Sequence, residues 1–463
     1  VIDHPAGAGH ARVVQVGELA EIVDDVATRL AAITDLGPGV ALVGPLARAR
    51  ADLAEDLEKT TKELRDAHTG ARAALQLVTG PSSYLVVASN NAEMRAGSGM
   101  WLQGGVLHVT DGKLDLDPLV SLPVDAVPPK DVVKPGGALG RLWSFLEPGN
   151  EWRSLMASPS FEDSARAAAA MWKAAGRGDV DGVLAVDAIG LQAIVRATGQ
   201  VGVSDHALTA DEVPGYVLHD QYREFTDANA GTIDTAARRE AIGALAHAAV
   251  GALDNGDYRP SELLRSLGDA ISGRHLLAWS TDRAEQDGWR AANMDGSFGP
   301  SSLLLSLLNI GANKLDWFTH LEATLRTAKT KDGWDVSVRI GIDNRTPAEG
   351  EPRYVVGPEP GSGHTPGEYL GILAVNVPAS AYKIRFDGVD HLAVAGDDGK
   401  SRVVGFPLRL LAGSSRTVTL RFSLPSAADS LHIEPSARVP TIHWHYETSQ
   451  WEDTAARATN FDD

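Results

Sequence analysis

The chain has 463 residues, a formal net charge of −19 at pH 7 and no cysteine. This length predicts two or three domains rather than one core. The absence of cysteine excludes disulfides, thiol nucleophiles and cysteine-ligated zinc. The acidity, without a basic stripe interleaved with aromatic residues, leads us to expect no nucleic-acid partner.

No apolar run approaches the roughly twenty residues that span a bilayer, and no signal peptide is present. Because the chain begins at Val1 without a methionine, we expect that an upstream secretion signal or anchor has been removed. A membrane is therefore expected as a partner only through that segment.

The first part of the chain, 1–80, is predicted to be a helical hairpin. Apolar residues recur at helical spacing over 16–30 and again over 46–77. A Gly-Pro-Gly run beginning at Gly37 separates the two stretches. We expect the second helix to pack on the core rather than to form a coiled coil.

Two apolar, β-rich runs, 84–88 and 106–109, predict buried strands on either side of a polar turn. Asn91, Glu93 and Arg95 lie in this turn, and glycines follow them, so a ligand can approach the backbone closely. We place the candidate active site here. The alternative is an asparagine-rich turn in which Glu93 and Arg95 form an ordinary ion pair.

Alternating strand and helix patterns continue along the chain and predict a layered α/β domain over 81–300. Asp125 is expected to close a short strand, and Asn150 lies in the next loop. The run 180–195 predicts a buried strand followed by a helix.

A second polar group brackets one flexible loop. Tyr222, Arg223 and Glu224 precede the loop, and Arg238 and Arg239 follow it. Because neighbouring residues on a helix face different directions, at most one of the two arginines is expected to point inward.

From about residue 303, period-two segments separated by turns predict an antiparallel β-sandwich over 301–440. The tail, 441–463, is expected to dock loosely or to be disordered. His443 and His445 would share one face of a strand. No carboxylate cluster at ligand spacing accompanies them, so we predict no metal site.

Familiar catalytic signatures are missing, including the P-loop, the Rossmann glycine motif, H-E-x-x-H and G-x-S-x-G. What remains is carboxylates and arginines gathered at polar turns. Paired carboxylates can act on a glycosidic bond, whereas arginines with a bound magnesium can clamp a pyrophosphate. Trp101 beside the turn would stack on a sugar ring, or would simply belong to the core.

Several motifs together resemble the domain of unknown function 4012 family, which is common in actinobacterial envelope proteins. They are N-N-A-E-M-R, D-G-K-L, V-D-G-V-L-A-V-D, T-G-Q-V and N-I-G-A-N-K-L-D-W. That family is remotely similar to the LytR-CpsA-Psr (LCP) phosphotransferases, which attach glycans to the cell wall from a lipid pyrophosphate carrier. The resemblance implies an LCP-like α/β/α layered core.

This sequence departs from the LCP motifs at the charged positions that would bind a pyrophosphate. N-N-A-E-M-R lacks the arginine-before-aspartate order of R-x-D-T, Val124 stands where I-P-R-D has its arginine, and Glu224 lies in the basic Y-x-R-x-R region. Fewer cations and more carboxylates weaken anion binding. The fold is therefore expected to persist while the reaction changes.

The leading hypothesis is an extracellular or cell-envelope enzyme that cleaves or transfers glycosyl units of envelope polysaccharide, without a cofactor. Glu93 would be the central carboxylate, with Glu224 as the first choice of partner and Asp125 as the second. The resemblance implies arabinan of arabinogalactan or lipoarabinomannan as substrate. The expected substrate-binding residues are Asn91, Arg95, Trp101, Gln103, Asn150, Tyr222, Arg223 and Arg239.

Two alternatives stay open. One is an LCP-type phosphotransferase with magnesium at Glu93 or Asp125 and phosphate contacts from Arg95, Arg223 and Arg239. The other is a non-catalytic protein that binds wall glycan. Fold analogy alone does not choose among the three.

Overall fold

The computed structural model describes residues 7–33, 44–203, 206–227, 231–256, 258–358 and 361–461. In these residues the chain forms helices, three six-stranded sheets and a two-stranded sheet. The described sheets are open, and none closes into a barrel. The protein is therefore of the mixed α/β class, as the alternating sequence patterns predicted. No helix in the described ranges is both long and apolar enough to cross a bilayer.

The helices are concentrated before residue 300. The α-helices are α1 His10–Ala32, α2 Pro45–Thr79, α3 Leu122–Asp125, α4 Gly137–Leu142, α5 Phe161–Ala174, α6 Ala188–Thr198, α7 Val213–Gly215, α8 Gln221–Glu224, α9 Thr235–Asn255, α10 Pro260–Ser272, α11 Arg283–Ala291 and α12 Arg353–Val356. Short 3₁₀ helices occupy Ser144–Leu146, Trp152–Ala157 and Leu315–Phe318, and Tyr216–Asp220 is π-helical. The two helices predicted in the first eighty residues are confirmed.

The strands fall into an early and a late group. The first is β1 Ser82–Met94, β2 Gly99–Thr110, β3 Lys113–Leu116, β4 Val120–Ser121, β5 Gly182–Val186, β6 Val201–Val203, β7 His206–Leu208 and β8 Leu276–Ser280. The second is β9 Ser302–Asn309, β10 Thr319–Thr330, β11 Gly333–Asn344, β12 Tyr369–Pro378, β13 Tyr382–Phe386, β14 Val394–Asp398, β15 Ser401–Leu410, β16 Ser415–Pro425, β17 Ser430–Ile433, β18 Ile442–Tyr446, β19 Ser449–Glu452 and β20 Arg457–Asn460.

The first sheet has the order β3-β2-β1-β5-β8, with β4 paired to β2. Strand β1 is parallel to β5 and antiparallel to β2, so the sheet is mixed. The two predicted buried strands are confirmed as parts of β1 and β2. The pairing with β5 ends at Ala88, so the last residues of β1 are paired only with β2.

The register between β1 and β2 is interrupted where the polar turn begins. Asn90 pairs with Met100 and Met94 pairs with Gly99, so the residues between Asn90 and Met94 bulge out of the ladder. A Cβ atom at Gly99 would lie only 2.4 Å from the backbone carbon of Asn90. Only glycine permits this close approach, which positions Glu93 at the end of the strand.

The second and third sheets have the orders β13-β16-β11-β10-β18-β19 and β14-β15-β12-β9-β17-β20. Apolar side chains from both contribute to one hydrophobic cluster that includes Leu305, Val338 and Leu373. Most strand pairs are antiparallel, but β10 with β18 and β9 with β17 are parallel. Period-two alternation predicts strands but cannot reveal the direction of their partners.

A further hydrophobic cluster joins the first sheet to the third. It contains Leu85 and Trp101 from the first sheet together with Leu308, Ile372 and Val403 from the third. Strands before about residue 300 form the first sheet, and strands after it form the second and third. Apolar residues of the first and third sheets nevertheless pack together.

The expectation of a loose or disordered tail is wrong for the described residues of 441–461. This segment contributes β18, β19 and β20 to the second and third sheets, and Trp444 is 1% exposed. The alternating pattern I-H-W-H-Y buries one face of β18 in the cluster, which outweighs the polar composition of the segment.

Asp453, in this same tail, makes stability depend on pH. Burial raises the pKa of Asp453 to about 6, although the Ser436 hydroxyl and two backbone N–H groups donate to its carboxylate. The folded state therefore binds this proton more tightly than the unfolded chain, in which an aspartate titrates near roughly 4. The contribution of Asp453 to stability is largest below pH 4 and is lost as pH rises through 6.

We expect Asp453→Asn to remove about 2 kcal/mol of the change in unfolding free energy between pH 4 and 6.5. Urea unfolding of the wild type and the variant across this range measures it. Other carboxylates titrate equally in both proteins, so the difference between the two curves isolates Asp453. Parallel curves would contradict the assignment.

Candidate functional site

The end of β1 meets two distant parts of the chain in one polar and aromatic cluster. Glu93 lies in the bulge of β1, Lys314 immediately precedes the 3₁₀ helix Leu315–Phe318, and Tyr222 lies in α8. We call this group the Glu93 cluster, and its members are Asn90, Glu93, Tyr222, Arg238, Lys314 and Tyr354.

A buried ion pair lies at the centre of the cluster. The Lys314 Nζ atom is 2.7 Å from Glu93 Oε2, and the two side chains are 5% and 6% exposed. The Asn90 side-chain amide donates to Glu93 Oε2 at 3.1 Å and to the Tyr222 hydroxyl at 3.0 Å. The polar turn after β1 and the Tyr222 helix therefore meet, but Glu93 is almost fully closed off from solvent by its pairing with Lys314.

The groups around Lys314 stabilise its protonated, positively charged form. Burial lowers the pKa of Lys314, but the carboxylate of Glu93 and the hydroxyls of Tyr354 and Tyr222 raise it, and the net pKa lies above the usual value. The ammonium therefore remains charged, and Glu93 faces a full positive charge.

Two tyrosine rings form a wall beside the cations. Lys314 Nζ lies 4.6 Å from the centre of the Tyr354 ring, and the Arg238 guanidinium lies 5.3 Å from that of Tyr222. Burial raises the pKa of Tyr222, although Lys314 and Arg238 oppose this shift. The Tyr222 hydroxyl therefore keeps its proton, and both rings stabilise the cations through their π-faces.

Arg238 is a buried cation with few partners. It is 6% exposed, and its Nη1 donates to Gln221 Oε1 at 3.2 Å. Its Nε is buried without a hydrogen-bond partner, and no carboxylate in the described ranges forms an ion pair with it. The cluster thus has two cations for one carboxylate, an arrangement suited to an anionic group on a ligand.

A second buried carboxylate lies next to the cluster. The Glu351 side chain is 2% exposed and pairs with Arg223 and with His219, whose Nε2 is 3.2 Å from Glu351 Oε2. His219 lies in the π-helical turn before α8 and stacks on Trp317. Such turns are frequent at functional sites. Glu351 lies just before α12, which carries Tyr354.

Residues 79–222 match the family described as Protein of unknown function (DUF4012). This segment of the chain belongs to that family. It carries Asn90, Glu93 and Tyr222, whereas Arg238, Lys314 and Tyr354 lie beyond it. No curated protein and no solved structure matches the chain.

The carboxylates expected to partner Glu93 lie elsewhere. Glu224, just beyond the DUF4012 segment, is exposed. Asp125 is also exposed, and it accepts a hydrogen bond from the Ser121 backbone N–H at 3.0 Å. Asp125 ends the short helix α3, and the prediction that it closes a strand is wrong because the strand stops at Ser121. In the described structure neither residue contacts Glu93.

The expectation that one of Arg238 and Arg239 faces inward is confirmed, but the wrong one was placed in the site. Arg238 is buried against Tyr222, whereas Arg239 is only partly buried. The backbone carbonyl of Arg239 accepts from the Gln103 side chain at 3.2 Å. Helical geometry predicts that the two arginine side chains point in different directions. Only tertiary packing determines which of them is buried.

Arg95 and Asn91, in the DUF4012 segment, bind the chain itself. Arg95 Nε donates to the Arg153 carbonyl at 2.8 Å and its Nη1 donates to the Met94 carbonyl at 2.9 Å. Burial lowers the pKa of Arg95. The Asn91 amide donates to Asp187 and to the Ala437 carbonyl, both at 2.7 Å. The alternative of a Glu93–Arg95 ion pair is wrong because Lys314 takes that place.

Three further residues expected to bind substrate have other surroundings. Trp101 is fully buried with its ring edge on Phe161, so it belongs to the core and cannot stack on a sugar in this conformation. Asn150 accepts from the Asp131 backbone N–H in a loop. Arg223 pairs with Glu351 at the border of the cluster.

Magnesium does not fit the positions that the phosphotransferase alternative gave it. Glu93 Oε2 already accepts from an ammonium and an amide, both of which would repel a cation. Asp125 is engaged with its own turn. Across the described part of the chain, no group of three or more histidine, aspartate or glutamate side chains could hold a metal ion.

Sequence reasoning missed Lys314, Tyr354 and Glu351. Lys314 stands in the motif N-I-G-A-N-K-L-D-W, which was noted only for its resemblance. A single lysine inside an otherwise apolar and amide-rich stretch was the available signal, because a buried lysine needs a carboxylate partner. Tyr354 and Glu351 carry no comparable pattern.

Proposed function

We propose that the chain is a carbohydrate-active enzyme of the cell envelope that cleaves or transfers glycosyl units at the Glu93 cluster. The observation that carries the proposal is the buried Glu93–Lys314 ion pair beside Asn90 and Tyr222. The charged Lys314 ammonium lies directly against the Glu93 carboxyl group. An anionic carboxylate can attack the anomeric carbon or stabilise positive charge that develops there.

The residues around Glu93 suit a sugar. Tyr354 is only partly buried and can offer its ring to the C–H groups of a pyranose or furanose, whereas the buried Tyr222 contributes a hydroxyl that keeps its proton. Asn90 holds both Glu93 and Tyr222, so it fixes the carboxylate relative to the ring. This fixed geometry lowers the cost of reaching the transition state.

Glycosyl transfer also needs a group that protonates the departing oxygen. We propose Glu351 for this role in place of Glu224 and Asp125, because it is buried and is held by residues on both sides of Tyr222. The His219 Nε2 atom is 3.2 Å from Glu351 Oε2, close enough to pass a proton to that carboxylate.

The substrate follows from the family resemblance rather than from the site. We propose an envelope arabinan as that substrate and an extracytoplasmic location. We also interpret the first sheet and its helices as an LCP-like layered core. The second and third sheets, which share a hydrophobic cluster, are interpreted as a β-sandwich.

Arg238 favours a second candidate function, transfer of a phosphate-linked glycan. A guanidinium that is buried with no carboxylate partner among the described residues is suited to a phosphate oxygen, and Lys314 lies on the same tyrosine wall. In this alternative Arg238 and Lys314 hold the phosphate, and no step needs a metal at Glu93.

Two substrates separate the candidates. Purified protein is incubated with neutral actinobacterial arabinogalactan and, in parallel, with a prenyl-pyrophosphate-linked glycan, each with and without EDTA. We expect chelator-insensitive release or transfer of oligosaccharides from arabinogalactan. Turnover of the pyrophosphate-linked glycan alone would support the second candidate, and binding without turnover of either would support the non-catalytic alternative.

The Arg238→Met variant sharpens this test, because methionine fills similar space without charge. Turnover of the neutral polymer is expected to fall less than tenfold, whereas use of a phosphorylated donor would fall by about 10²-fold or more. Arg239→Met, one position along the same helix, is the matched control and should affect neither reaction.

A further inference from the structure

The outer face of the second sheet contains a trough that is separate from the Glu93 cluster. Its cavity volume is about 540 Å³, within the range of small-ligand sites. The lining residues used below are Glu322, Gly341, Asp343, Thr417, His443 and Glu452. They come from five strands of the sheet, β10, β11, β16, β18 and β19.

Strand alternation and one glycine create the trough. Inward residues such as Leu321 and Ile340 are buried in the hydrophobic cluster, so their neighbours along each strand face outward. Gly341 pairs with Glu322 on one side and Thr417 on the other. Because Gly341 has no side chain, the row of outward side chains is interrupted there and a depression remains.

The three lining carboxylates are already paired, whereas the lining arginines Arg339 and Arg416 form no ion pair within the described ranges. His443 Nδ1 is 2.7 Å from Glu452, and Arg345 is 3.2 Å from Asp343. Hydrogen bonding to Glu452 raises the pKa of His443, which favours the charged pair. The floor and walls therefore present many hydrogen-bond donors and acceptors with little net charge. Such a surface suits a neutral polyhydroxyl ligand better than a polyanion or an apolar ligand.

We propose that this trough binds a neutral oligosaccharide segment of a polysaccharide. The lining residues include none of the Glu93 cluster, so binding in the trough does not require chemistry at Glu93. Its role is to hold the polymer on the protein, which raises the local concentration of glycan.

Gly341→Tyr tests the trough because a side chain can be added there without a clash. A Cβ atom at Gly341 would meet only the Glu322 carbonyl oxygen, at an ordinary 3.8 Å. The tyrosine ring would then fill the depression. Ser337→Tyr is the matched control, because Ser337 lies on the same strand, is partly exposed and does not line the trough.

Affinity gel electrophoresis with neutral arabinogalactan in the gel measures binding. We expect retardation of the wild type and of Ser337→Tyr, and at least tenfold weaker binding by Gly341→Tyr. The thermal midpoints of both variants, measured alongside, should equal that of the wild type. Equal retardation of Gly341→Tyr and Ser337→Tyr would overturn the proposal, as would retention only by the polyanion dextran sulfate.

The same gels separate this proposal from the proposed function. Glu93→Gln is expected to be retarded as strongly as the wild type, because the trough is intact. If the wild type is retarded but shows no turnover, and Gly341→Tyr abolishes the retardation, the trough proposal is supported and the enzyme assignment is contradicted. If the protein turns over glycan and only Glu93→Gln abolishes retardation, the enzyme assignment is supported and the trough proposal is contradicted.

Discussion

Glu93→Gln is expected to lower glycan turnover by about 10³-fold or more, the largest effect on activity that we predict. Glutamine has nearly the same shape as glutamate but cannot act as an anionic nucleophile or stabilise a developing positive charge. The rate of oligosaccharide release from arabinogalactan measures the loss. Unchanged turnover would reject Glu93 as the central carboxylate.

The same substitution also affects stability, so a second variant is needed. Glu93→Gln leaves the buried Lys314 without its carboxylate, which costs roughly 3–5 kcal/mol for a pair of this kind. The double variant Glu93→Gln/Lys314→Met removes both charges and is expected to recover most of that stability. It should remain inactive. Recovery of stability without activity separates a catalytic loss from misfolding.

Arg438→Met is expected to lower the free energy of unfolding by roughly 3–5 kcal/mol. Arg438 and Asp316 are both fully buried, and Arg438 Nη1 is 2.7 Å from Asp316 Oδ1. The arginine also donates to the Thr319 carbonyl at 2.8 Å. Its loss leaves a buried carboxylate with no cation, and a methionine side chain cannot replace these donors.

This pair also positions the candidate site. Asp316 accepts from the Met94 backbone N–H at 2.9 Å, directly after Glu93, and from the Tyr369 hydroxyl at 3.0 Å. We therefore expect Arg438→Met to reduce turnover as well as stability, although Arg438 lies outside the Glu93 cluster.

Chemical denaturation of Arg438→Met measures the loss, with Lys62→Met as the control. Lys62 pairs with Asp66 on α2, but the lysine side chain is 77% exposed and solvent screens the charges. Lys62→Met is expected to change stability by less than about 0.5 kcal/mol. An equally small effect of Arg438→Met would show that the buried pair does not stabilise the fold.

The positions of helices and strands were largely predictable from local pattern. The β-rich runs in β1 and β2 identified buried strands, and apolar spacing located α1 and α2, although Ile22 and Leu53 on these helices are exposed. The tail was mispredicted because its composition is polar, although the alternation around Trp444 already matched a strand. Alternation was the better guide because burial of one face stabilises a strand whatever its overall polarity.

The candidate site was predictable only in part. Polar residues that follow a buried strand pointed to Glu93, and the predicted meeting with Tyr222 is confirmed through Asn90. The choice of Arg239 over Arg238 and the neglect of Lys314 were wrong because both depend on which side chain faces a neighbour that is distant in sequence. Trp101 was placed beside a ligand for the same reason, although it packs in the core.

By itself, the sequence determined the mixed α/β class, the DUF4012 segment and the polar turn after β1, because these follow from local periodicity and residue type. Only the tertiary structure decided that Lys314 neutralises Glu93, that Arg238 lies against Tyr222, and that Gly341 opens a trough. The physical reason is that a buried charge needs an oppositely charged or polar partner. Tertiary packing supplies that partner from a distant part of the sequence, and local sequence patterns carry no information about such pairs.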